Sequence, residues 1–114
     1  MAIIKKKKIK IPVYNSTLYI YLVDNLKDVA QDLGYHFKDV ENMWAITFKN
    51  CNDDNILYVA FTPDYINKVI AHECVHLVNL LFDCKGVKLN LEDDENQAYW
   101  TGWFYDEIEK VLKS

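Results

Sequence analysis

His72-Glu73-Cys74-Val75-His76 places two imidazoles one helical turn apart with a carboxylate between them. Residues i and i+4 lie on one face of an α-helix, so both rings can reach a single ion at about 2.0–2.1 Å, the length of a zinc–imidazole bond. The spacing sets Glu73 beside that ion, where a carboxylate can take a proton from a bound water. This reading demands a helix, and the flanks supply one. Thr62-Pro63 offers an N-cap followed by proline at the first helical position, and Lys85-Gly86 offers a stop. At about 100° per residue, Tyr65, His72, His76, Asn79 and Asp83 form a polar stripe, with Ile70, Cys74, Leu77, Val78 and Leu81 opposite. One side belongs against a core and the other along a cleft.

A catalytic zinc needs a third protein ligand and one open position. Glu95 is the residue the sequence offers, after enough chain to finish one helix, turn, and begin another running back past it. The second helix is expected from about Asp93 to Leu112, with Glu95, Tyr99, Gly102 and Asp106 on one stripe and Phe104, Ile108 and Val111 opposite. Gly102 costs about 1 kcal/mol relative to Ala inside a helix, so a close approach of the two helices beneath the metal is expected there. Asp94 is expected either to orient a histidine or to cap the helix.

His72 to His76, the Gly-containing turn at Gly86, and Asp94-Glu95-Asn96-Gln97-Ala98-Tyr99 leading to Gly102 resemble the gluzincin group of zinc metallopeptidases, and more closely the small phage-encoded zincin-like peptidases. The specific resemblance covers about a third of the chain. It implies a zincin-like fold, Zn²⁺ held by His72, His76 and Glu95, and hydrolysis of a peptide or protein substrate by a zinc-activated water with Glu73 as general base. It also implies a place for Tyr99, which would donate a hydrogen bond to the oxyanion, and a substrate lying along the strand before the metal helix, Ile56 to Phe61. Metzincins require Gly and His where this chain has Asn79 and Phe82, so that pattern is excluded. The competing reading is a non-catalytic, zinc-stabilised module that binds a host or viral protein. A structural site closed by Asp94 or Cys84 is a further alternative. His36 is a candidate oxyanion donor or extra ligand with a structural role favoured, and Cys74 reads as a buried small hydrophobe.

Length and composition set the frame. The 114 residues, 51% hydrophobic and 14% aromatic, suit a single domain spanning residues 1–114 with one core. Three cysteines and an amino terminus without a signal-like apolar run point to reduced thiols in a cytoplasm, and no stretch approaches a membrane span. A net charge of -4 argues against a nucleic-acid partner. Lys5-Lys6-Lys7-Lys8 reads as a solvated arm leading into an edge strand, and Glu92-Asp93-Asp94-Glu95 as carboxylates favoured at a helix start.

Alternating apolar residues predict strands over Lys8 to Asn15 and Thr17 to Asp24, joined at Asn15-Ser16. A short helix follows from Asn25 to Leu33, ended by Gly34. Trp44 to Lys49 and Ile56 to Phe61 flank a polar turn and read as a hairpin. The order predicts an α+β fold: a small twisted sheet packed on the metal helix, then a C-terminal helix.

Overall fold

A computed structural model describes residues 2–37, 40, 43–65 and 67–114. The elements are β1 (Ile3–Ile11), β2 (Ser16–Val23), α1 (Lys27–Leu33), β3 (Ala45–Lys49), β4 (Ile56–Phe61), α2 (Asn67–Lys85) and α3 (Glu95–Leu112). The α+β class expected from the sequence is observed. The four strands form one sheet in the order β1-β2-β4-β3, with β1 antiparallel to β2, β2 parallel to β4 and β3 antiparallel to β4.

Side chains alternate across a strand, and each face of the sheet has its own partner. Leu18, Ile20, Leu57, Val59 and Phe61 pack with Ile70, Cys74, Leu77 and Leu81 of α2 and with Trp100, Phe104 and Ile108 of α3. On the other face Tyr21, Tyr58 and Ala60 pack with Leu26 and Val29 around α1, and Tyr19, Ile46 and Phe48 lie against them. Gly34 ends α1 at φ 72° with its N–H bonded to the Ala30 carbonyl, a left-handed geometry that suits glycine.

Two strand boundaries differ from expectation. β1 begins at Ile3 and stops at Ile11, because Pro12 cannot donate to the ladder and Val13 turns to φ 73°. The lysine run is therefore part of the edge strand itself. Lys6 pairs with Asp32 and lies over the Tyr19 and Tyr21 rings. Lys5, on the opposite face, donates to the carbonyls of Val111 at 3.1 Å and Ser114 at 2.6 Å, where a cation meets the negative end of α3. The strand Ile56–Phe61, along which the resemblance would lay a substrate, is internal, paired with β2 on one side and β3 on the other. The edge beside α2 is β3.

The helix that carries His72 and His76 begins at Asn67, later than the Thr62-Pro63 signal. Thr62 is already engaged: its N–H and hydroxyl both donate to the Trp44 carbonyl, which carries the β3–β4 pairing one residue further. Tyr65 precedes the helix, packs edge-on to Phe61, and is not on the polar stripe.

Gly102 also departs from expectation. A Cβ built there meets nothing within 4 Å, so no helix approaches closely at this point. Gly102→Ala is therefore expected to stabilise the protein by about 1 kcal/mol through helix propensity alone, measured by chemical denaturation. A destabilisation would show that the glycine is needed for packing.

Candidate metal centre

The site grows from the register of α2 against β3. Ile70, Cys74, Leu77, Val78 and Leu81 are buried in the core, which leaves His72, His76, Asn79 and Asp83 exposed along the opposite stripe, as the periodicity predicts. Burial pushes the Cys74 thiol up to about 12, with the neighbouring Glu73 charge adding to the effect, so Cys74 is the inert core residue expected. Glu73 lies between the two environments and is 5% exposed.

The Nε2 atoms of His72 and His76 are 3.1 Å apart. Two ligands of one tetrahedral ion, each at about 2.05 Å, stand about 3.3 Å from each other, so the rings converge as a ligand pair does. Glu73 Oε2 lies 3.8 Å from His72 Nε2, while Oε1 accepts a 2.7 Å hydrogen bond from the Thr47 hydroxyl. The donor atoms of His72, Glu73 and His76 all fall within 4.8 Å of one another, the one such group among the described residues. The donor chemistry fits zinc at the two imidazoles, with a carboxylate at their flank.

This group sits in an open cleft of about 1090 Å³ between α2 and β3. Met43, Trp44, Ala45 and Thr47 line the strand side, and Lys68, Val69, Asn79, Leu80 and Asp83 continue the helix side. Met43 and Trp44 are each about half exposed and give the strand side of the cleft an apolar lip.

Glu95 stands outside the cluster and does not line the cleft. Helix direction explains this. Lys85 at the end of α2 bonds to Asn55, where β4 begins, whereas the end of α3 meets Lys5 at the other end of the sheet. The two helices therefore run in opposite directions. Trp100 packs on Tyr14 of the β1–β2 turn, so the start of α3 belongs to the Asn55 end. Nine residues of α2 follow His76, roughly 13 Å of helix at 1.5 Å per residue, and they hold Glu95 away from the histidines. The helix ends at Lys85, as Lys85-Gly86 predicts, and α3 starts beside that far end, not level with the histidines.

The remaining candidates also lie elsewhere. The stripe of Glu95, Tyr99, Gly102 and Asp106 faces solvent, and α3 packs through Trp100, Phe104, Ile108 and Leu112. Tyr99 is 64% exposed and edge-on to Trp100. His36 is exposed after α1, and Asp94 precedes α3 without a side-chain capping bond. Cys84 is half-buried, its thiol pushed up by burial and the nearby Asp54 carboxylate, and it is not in the cluster.

Thr47 is the site residue that sequence reasoning missed. Its signal was present: in a strand reading Ala45-Ile46-Thr47-Phe48-Lys49, Thr47 shares the α2-facing side with Ala45, and a polar residue there needs a partner.

The chain matches no known family, no curated protein and no solved structure.

Proposed function

We propose that the chain is a minimal zincin-like metallopeptidase that binds zinc through His72 and His76 and uses Glu73 as general base; the third protein ligand that a catalytic zinc ordinarily has is not among the groups clustered with them in the described residues. The observation that carries this reading is the convergence of the two Nε2 atoms to 3.1 Å beside a buried glutamate at the floor of an open cleft. A purely structural zinc is usually enclosed by four Cys or His ligands and has no use for a flanking carboxylate held off by a hydroxyl.

Zinc bound there would polarise a substrate carbonyl and lower the pKa of a bound water toward about 7. Glu73 takes the proton through Oε2, the oxygen Thr47 leaves free, and returns it to the departing amine. The edge of β3, unpaired among the described residues, accepts an extended peptide by main-chain hydrogen bonds, a role moved here from β4, which is paired on both sides. Met43 and Trp44 offer apolar contact to the side chains of that peptide. Asn79, one turn beyond His76 and within the cleft, offers an amide donor for the oxyanion in place of the distant Tyr99.

The test is hydrolysis of a broad peptide library. Wild-type protein is expected to cleave a subset of peptides, lose that activity on chelation and regain it when zinc is restored. Cleavage that survives verified metal removal would overturn the reading.

A further inference from the structure

Resting on the proposed zinc centre, we infer that Thr47 is a positioning residue: its hydroxyl holds Glu73 out of the metal's coordination and so keeps this carboxylate free to act as a base.

Glu73 shares a sphere of 4.8 Å with the Nε2 atoms of both histidines. A carboxylate so close to a two-histidine ion is a ready third ligand, since zinc binds carboxylate oxygen at about 2.0–2.2 Å. A glutamate that gives its lone pair to the metal is a poor acceptor for the proton of a metal-bound water. Something must therefore hold it back, and the only side-chain hydrogen bond that Glu73 makes among the described residues is the one from Thr47. At 2.7 Å that bond is short, as hydroxyl-to-carboxylate bonds are. Its strength is raised by burial, because Glu73 is almost wholly removed from solvent.

The anchor is itself fixed. Thr47 is the central residue of β3 and pairs with Val59 in the interior strand β4, and its β-branched side chain has few rotamers to choose from. Oε1 is thereby tied to the sheet, while Oε2, 3.8 Å from His72 Nε2, takes no hydrogen bond from Thr47 and stays available to a proton. The strand that offers its edge to a peptide also carries the hydroxyl that aims the base, so substrate and base are referred to one rigid element.

The experiment is cobalt(II) substitution of the full chain, comparing wild type, Thr47→Val and Thr47→Ser by visible absorption and by titration of cobalt, with peptide hydrolysis measured alongside. Thr47→Val keeps the shape and removes the donor; Thr47→Ser restores the donor. Thr47→Val is expected to gain a carboxylate ligand, seen as a changed d–d spectrum and several-fold tighter cobalt binding, while kcat falls about 10- to 100-fold at nearly constant KM. Thr47→Ser is expected to match wild type in all three. If Thr47→Val fails to fold, Thr47→Ala makes the same comparison. Identical spectra and affinities in wild type and the donor-less variant would overturn the positioning role, whatever the hydrolysis. The spectral change without any wild-type hydrolysis would uphold the positioning role and overturn the peptidase reading. Wild-type protein that takes up no cobalt would overturn both.

Discussion

Glu73→Gln is expected to reduce peptide hydrolysis by at least about 10²-fold while leaving fold and zinc content near wild type. The factor is the lower end for loss of a general base. The substitution is close to isosteric, and the surroundings of Glu73 tolerate it. A glutamine oxygen can still accept the Thr47 hydroxyl that now bonds Oε1, so the buried polar contact survives. The amide nitrogen then occupies the place of Oε2, 3.8 Å from His72 Nε2, where it can donate a hydrogen bond but cannot take a proton. Burial makes the contrast sharper, because solvent has little access to substitute for the missing base at a residue only 5% exposed. Comparison of kcat, melting temperature and metal content for the two proteins checks the expectation. Equal hydrolysis by both would remove Glu73 from the chemistry, and a zinc-stabilised binding module would then be the better description.

The parts of this protein that were legible in its sequence are those governed by local periodicity. The buried stripe of α2 follows from residues three and four apart, and the same spacing brings His72 and His76 together. The stop of α1 follows from Gly34, whose left-handed backbone few other residues adopt without strain. Tertiary competition decided the rest. Thr62 has the chemistry of an N-cap, but its N–H prolongs the strand ladder to the Trp44 carbonyl, a partner 18 positions away in the chain. Ile56–Phe61 looks like any apolar strand, and only the parallel pairing with β2 makes it interior. Glu95 had suitable spacing in sequence but not in space: the stop at Lys85 was legible, but not that α3 would begin at that end of α2, a helix length away from the histidines. For Thr47 the pattern showed a polar residue on the α2-facing side of its strand but not its partner, which lies 26 positions away.

Among the described residues, no helix is long and apolar enough to cross a bilayer.

The second large effect concerns the metal itself. His72 and His76 are the two groups whose nitrogens converge, and each would supply half of the proposed imidazole ligation. Removing either leaves a lone histidine beside one carboxylate, a set too small for tight zinc binding in competition with water. Glu95 lies outside the cluster, so Glu95→Ala acts as the control in which a charged residue is lost from α3 without touching the centre.

Zinc content of the purified protein and these variants, measured by elemental analysis, tests the account most directly. About one equivalent in wild type and in Glu95→Ala, falling to near zero in His72→Ala and His76→Ala, is the predicted result. Zinc retained at the wild-type level after either histidine is removed, or absent from the wild-type protein after incubation with the metal, would contradict it.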